Sequence, residues 1–323
     1  MTSSLPIANR GEFACRIVRT LVVASALMSC SVGAQQPAWQ QHTLVHGGAT
    51  RIWNEIVPPA CTNPRAHCPL LIALHGGGGR ANGAQFAGGT GLAATGAARG
   101  YIVLAPDALG DNWNDGRPQL AAGIDDVGFI RAMLADIGSR AGVDPARIFA
   151  TGASNGGLMS YRLACESGGT FRAVAPVIAN LGADLIVRCR PAGNVSVFMI
   201  PGTADRLIPY AGGAVAPGRI DRGTVVSSDR TLEFWRAAMG CSRTPRTERF
   251  DPVRDETSVA VTRYDSCRGG PVVQRWTVEG GGHTWPGRQG GSGFRARLVG
   301  PTATEFSATE VILDFFDRVG RPR

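Results

Sequence analysis

Apolar and polar positions along the chain follow two periods. Residues 41–45 (QHTLV) and 51–57 (RIWNEIV) alternate as half-buried strands do, and Gly47-Gly48 between them reads as a hairpin turn. Residues 69–74 and 101–105 are unbroken apolar runs, the pattern of strands covered on both faces. Further strand patterns occupy 148–151, 173–179, 195–200, 259–264 and 272–278. Helical patterns fall between them. Residues 82–98 read as a glycine-weakened helix, and 125–140 carry Val127, Ile130, Leu134 and Ile137 on one face. Residues 158–164, 228–239 (Leu232 and Trp235 inward) and 304–319 complete the set. Strands alternating with helices predict an α/β fold with a mostly parallel central sheet and helices on both faces. No Ser/Thr-rich or Pro-rich linker divides residues 35–323, which are read as one domain. Residues 286–301, rich in Gly and Arg, read as a surface loop.

Composition narrows the class. Hydrophobic residues make up 44% and charged residues 18%, which suits a globular chain and excludes a disordered or membrane-spanning one. The formal charge is +8, but the arginines are scattered among Asp and Glu, so nucleic-acid binding is not expected. Residues 1–34 resemble an export signal. Arg10, Arg16 and Arg19 precede a short apolar core at 21–28, and Val32-Gly33-Ala34 offers a cleavage site. That core is too short to span a bilayer. A rival reading takes Leu27-Met28-Ser29-Cys30 as a lipoprotein signal lipidated at Cys30. Either route implies a secreted, extracellular or periplasmic protein. Export also implies disulfides. Beyond the signal lie Cys61, Cys68, Cys165, Cys189, Cys241 and Cys267. Sequential pairing is favoured because each bond would close a local loop between predicted elements. No Cys-x-x-Cys spacing occurs and the histidines lie elsewhere, so no metal site is expected.

The chemistry centres on Gly152-Ala153-Ser154-Asn155-Gly156, placed between a predicted strand and a predicted helix. Glycines two before and two after a serine there make a nucleophile elbow, too tight for side chains at the flanking positions. A serine hydroxyl needs a base. Of five histidines, His283 alone follows Ser154, in a glycine-rich loop after the last predicted strand. The orienting acid should follow an intervening strand, which points to Asp205 after the 195–200 run. Oxyanion donors are expected from the Asn155 amide and from the glycines after Leu74, Gly77 foremost and Gly78 as a second candidate. Trp113 and Trp285 are candidate stacking walls for a sugar or aromatic ring, with core packing as the alternative, and His75 is placed beside the substrate. Asp125 and Asp126 open a helix.

Assembled, CPLLIALHGGGG (68–79), WNDGR (113–117), DDVGFI (125–130), GASNGG (152–157), GTADRLIPY (202–210) and GGHTWPG (281–287) resemble a secreted esterase group. It comprises the polyhydroxybutyrate depolymerases and the feruloyl and acetylxylan esterases of carbohydrate esterase family one. The resemblance implies an α/β-hydrolase fold, no cofactor, and carboxyl-ester hydrolysis by Ser154, Asp205 and His283. The implied partners are small-molecule or saccharide esters, feruloyl or acetyl, or soluble hydroxybutyrate oligomers. Solid polyester is disfavoured, because no linker or polymer-binding module is evident. Two alternatives are a prolyl-oligopeptidase-like peptidase, which usually needs a lid or propeller domain, and a non-catalytic binding protein on the same scaffold.

Overall fold

The first element among the described residues is a hairpin, β1 (Gln40–His46) with β2 (Ala49–Ile56), whose turn residues Gly47 and Gly48 both take positive φ. The structure is a computed structural model and describes residues 38–78, 82–216, 218, 220–288 and 297–321. The expected signal at 1–34, with Cys15 and Cys30, lies outside the described residues, as do 289–296 of the expected surface loop. After the hairpin come β3 (Cys68–Leu74), α1 (Gly83–Thr90), α2 (Leu92–Ala98), β4 (Ile102–Pro106), α3 (Asp126–Arg140) and β5 (Val143–Ala153). Next are α4 (Asn155–Glu166), β6 (Ala173–Val177), α5 (Ala183–Arg188) and β7 (Ser196–Met199). A small hairpin, β8 (Gly213–Ala214) with β9 (Thr224–Val225), precedes α6 (Ser228–Ala238). The chain then runs through β10 (Arg246–Phe250), β11 (Ser258–Tyr264), β12 (Val273–Glu279) and α7 (Ala308–Val319).

Ten strands form one sheet in the order β1-β2-β4-β3-β5-β6-β7-β12-β11-β10. The stretch from β4 to β12 is parallel, with antiparallel strands added at both edges. β4 lies to one side of β3 and β5 to the other, so the winding direction reverses between β3 and β5. Loops leaving the carboxyl ends of those two strands diverge and open a crevice.

Neighbouring residues on the central strands point to opposite faces, as strand geometry demands. Leu70 and Ile72 join Phe129 and Met133 of α3, Leu158 and Tyr161 of α4 and Trp235 of α6 in one core. Leu71 and Phe149 join Leu92 of α2 and Ile312, Phe315 and Phe316 of α7 in the other. Phe149 stacks on Phe316 at 4.6 Å. Helices therefore cover both faces, as the alternating pattern predicts.

The disulfides are Cys61–Cys68, Cys165–Cys189 and Cys241–Cys267, the sequential pairing. Loops of 24 and 26 residues each restrict the unfolded chain by about 3 kcal/mol. Among the described residues, no helix is long and apolar enough to cross a membrane.

Candidate active site

The elbow is built by close approach of backbone. Ser154 holds φ 56° and ψ −123°, a conformation few non-glycine residues adopt. It stands where β5 ends and α4 begins, and its amide donates to the Val177 carbonyl on β6 at 3.0 Å. A Cβ on Gly152 would come within 2.6 Å of the Leu74 carbonyl oxygen and of the Gly156 backbone. A Cβ on Gly156 would run into the carbonyl oxygens of Leu74 and His75. The flanking glycines let β5 turn into α4 directly beside the end of β3.

Asp205 and His283 are far apart in sequence and are joined by paired loops. Thr203 N–H donates to Val278 O and Ala204 N–H to Gly281 O, both at 2.9 Å, and the Gly280 amide donates to Thr203 Oγ1 at 2.8 Å. The His283 amide donates to Val299 O. With both loops fixed, His283 Nδ1 donates to Asp205 Oδ2 at 2.7 Å. Asp205 Oδ1 accepts from the amides of Leu207 and Ile208, each at 2.8 Å. The Asp205 side chain is 1% exposed and the His283 side chain 10%. Nδ1 is thereby held as the protonated nitrogen, which leaves Nε2 free to accept a proton. Ser154 and His283 line the same cavity, of about 350 Å³, without a hydrogen bond between them among the described residues. Such pairs commonly tighten only when substrate binds.

The expected oxyanion donors come from the two sides of the winding reversal. Gly77 follows β3, lines the cavity, and its amide has no partner among the described residues. A Cβ there would strike the Asn112 side-chain oxygen and crowd the Asn155 Cβ at 3.1 Å, so any side chain requires Asn112 to move. Asn155 opens α4, where helix geometry leaves its amide without an internal acceptor. Its side chain is buried and tied down: Oδ1 accepts from Trp113 N at 2.7 Å, and Nδ2 donates to Trp113 O at 3.0 Å and Asp115 Oδ2 at 2.6 Å. Asp115 in turn holds the buried Arg117 at 2.5 Å. Gly78 does not fit the donor role, because its amide is committed to Asp111 O at 3.0 Å.

No protein-family model matches the chain. Among curated proteins it is 32% identical over 287 residues to "Putative esterase NocK" of Nocardia uniformis subsp. tsuyamanensis, covering 84% of this chain and 80% of that protein. It is 30% identical over 232 residues to feruloyl esterase B of Piromyces equi, covering 70% of this chain but only 41% of that protein. The chain belongs to the feruloyl esterase family of α/β-hydrolases. Among solved structures, Thermogutta terrifontis esterase 2 matches with a TM-score of 0.54 at 16% identity, covering 90% of this chain and 98% of that one. The acetyl xylan esterase of Aspergillus awamori matches with a TM-score of 0.53 at 16% identity, covering 76% and 94%. At that identity the two structures show a shared fold.

Backbone strain in this esterase gathers at the cavity. Of the four non-glycine residues with positive φ among the described residues, Ser154, Ile178 and Ala216 line it, and Ala121 adjoins the lining residue Leu120. Strain of this kind collects at working sites. Larger hollows of about 480 and 500 Å³ lie elsewhere and hold neither a histidine nor a serine. The other histidines serve structure or solvent: His42 pairs with Glu55, His46 with Asp125, and His67 is exposed.

The expected substrate-facing roles of Trp113, Trp285 and His75 do not hold, because all three are packed inside the esterase. Trp113 is fully buried and its Nε1 donates to the His75 carbonyl at 3.1 Å. Trp285 donates to Thr309 Oγ1 at 3.2 Å and meets Phe86 edge-on, bracing the His283 loop against α7 and α1. The cavity wall is instead aliphatic, with Ile178, Leu207, Ile208, Val215 and Leu298. Sequence reasoning also missed Asp115 and Arg117. The available signal was an acid and a base two residues apart beside a tryptophan, in a stretch otherwise read for its aromatic ring.

His75 is 1% exposed and uses both ring nitrogens: Nδ1 donates to Gly76 O at 2.7 Å, and Nε2 accepts from Ala108 N at 3.0 Å. Burial pulls its pKa below the ordinary 6.5, against weaker opposing effects from the Gly76 carbonyl and the Asp107 and Asp126 carboxylates. The neutral ring's contribution to stability is therefore fully present above pH 6.5 and is lost as pH falls below it toward the lowered folded value. In thermal melts, His75→Gln should lower the midpoint at pH 8 and flatten its decline with acidification below pH 6.5. Equal slopes in the two proteins would assign the acid loss to other groups.

Proposed function

We propose that the protein is a serine carboxylic-ester hydrolase acting through an acyl-enzyme. Ser154 Oγ attacks the acyl carbon while His283 Nε2 takes its proton, and the Asn155 and Gly77 amides receive the charge that develops on the carbonyl oxygen. The imidazolium returns that proton to the departing alcohol as the tetrahedral intermediate collapses. Water, deprotonated by His283, then attacks the acyl carbon, releasing the carboxylic acid and restoring Ser154. The observation that carries this reading is the His283–Asp205 contact of 2.7 Å facing the same cavity as the strained Ser154.

The substrates proposed are feruloyl or acetyl esters of plant-wall saccharides, or soluble hydroxyalkanoate oligomers. Family membership supports the first pair; the aliphatic wall suits acetyl and hydroxyalkanoyl groups, since no aromatic side chain lines it among the described residues. Three disulfides support export, with residues 1–34 as the signal. Turnover of methyl ferulate, acetylated xylan and hydroxybutyrate oligomers should show at least one as a substrate. In parallel, a fluorophosphonate probe should place a single label on the peptide carrying Ser154. A label elsewhere, or no turnover of any ester, would overturn the reading.

A further inference from the structure

Among the described residues no Asp or Glu lines the catalytic cavity, but two arginines do, Arg117 and Arg222. They differ in what they hold. Arg117 is buried, closes on Asp115 through Nε and Nη2, and spends Nη1 on the Arg222 carbonyl at 2.6 Å. Arg222 is exposed, and its guanidinium makes no hydrogen bond or ion pair among the described residues. Its sequence neighbour Asp221 accepts from the Gly223 amide at 2.8 Å and does not line the cavity.

The backbone that carries this cation is held in place. Asn155 Nδ2 holds Asp115, Asp115 holds Arg117, and Arg117 holds the backbone of Arg222. Gly223 O accepts from Val215 N at 2.9 Å, closing the loop between β8 and β9. One chain of hydrogen bonds thus sets the Arg222 backbone relative to the residue expected to donate to the oxyanion. An unpaired guanidinium on a residue that lines an aliphatic cavity can offer a carboxylate the two parallel donors it prefers. Without residues 1–34, which hold Arg10, Arg16, Arg19 and Glu12, a formal excess of six positive charges remains and would add a long-range attraction for anions.

We propose that Arg222 selects esters carrying a carboxylate, so that the preferred substrate of this site is an anionic ester. The inference rests on the esterase reading above. The carboxylate can belong to the acyl half or the alcohol half, and the two are separable. The acyl pair is para-nitrophenyl hydrogen succinate against para-nitrophenyl butanoate. The alcohol pair is (butanoyloxy)acetate against (butanoyloxy)acetamide.

Wild-type kcat/KM should favour the charged member of at least one pair, through KM and not kcat, and added salt should erode the preference. Arg222→Gln should reduce the charged-to-neutral ratio by about three- to tenfold, and Arg222→Lys should restore part of it. The pair that responds identifies the half bearing the charge. No wild-type preference in either pair, or a ratio unmoved in Arg222→Gln, would overturn the proposal while neutral-ester turnover keeps the esterase reading. Absence of all ester turnover would overturn both.

Discussion

Ser154→Ala is expected to lower kcat on a simple aryl ester by roughly a million-fold and to leave the fold intact. The substitution removes one oxygen. Alanine keeps the Cβ and the backbone amide that donates to the Val177 carbonyl, so the turn itself is unchanged. The strained φ of 56° costs serine and alanine alike, and the Ser154 hydroxyl makes no hydrogen bond that the variant would lose among the described residues. Stability should therefore stay within about 0.5 kcal/mol of wild type, as for substitutions that disturb no packing. What remains is whatever rate the Asn155 and Gly77 amides give to direct attack by water. Steady-state kinetics with a nitrophenyl ester, beside a thermal melt, checks both halves. A folded variant with near-native turnover would show that another group attacks the ester.

Much of the architecture behind that prediction is legible in the chain. The apolar runs that became β3 and β4 are legible because strands buried on both faces leave no polar positions. The glycines around Ser154 were legible because backbone must pass backbone there. Edge elements were not. β10 reads RTERF, mostly exposed, and an edge strand open to water has no apolar signature. α5 is a six-residue helix, too short to establish a period. The single helix expected over 82–98 is broken at Gly91, whose φ of +80° ends α1 and starts α2. β5 begins earlier than expected, at Val143, and runs through Asp144-Pro145 with a register shift against β3.

The site divides the same way. Ser154, Asp205 and His283 could be proposed from sequence because chain order and strand ends constrain them. Trp113 and Trp285 were misplaced because an indole suits a core and a cavity equally, and only its neighbours decide. The chain of hydrogen bonds from Asn155 through Asp115 and Arg117 to Arg222 joins residues up to 105 positions apart, a separation that no local pattern encodes.

Asp205→Asn should lower kcat by about a thousand- to ten-thousand-fold, although the two side chains have nearly the same shape. The structure fixes which way the asparagine would lie. Oδ1 is claimed by the amides of Leu207 and Ile208, both donors, so the carbonyl oxygen must stay there. The new NH2 group then takes the place of Oδ2 and faces His283 Nδ1. Two donors cannot share that contact, so the imidazole moves its proton to Nε2 and loses the lone pair that would receive the Ser154 proton. Asp205→Ala leaves Nδ1 without a partner but does not force that tautomer. Asparagine, the closer mimic, should therefore be at least as damaging to kcat as alanine, with KM less affected than kcat in both. Leu207 and Ile208 also line the cavity, so the residues that orient the acid form part of the wall that receives the substrate. If Asp205→Asn retained most of the wild-type kcat, Asp205 would be a turn-capping residue, and the carboxylate orienting His283 would have to come from elsewhere.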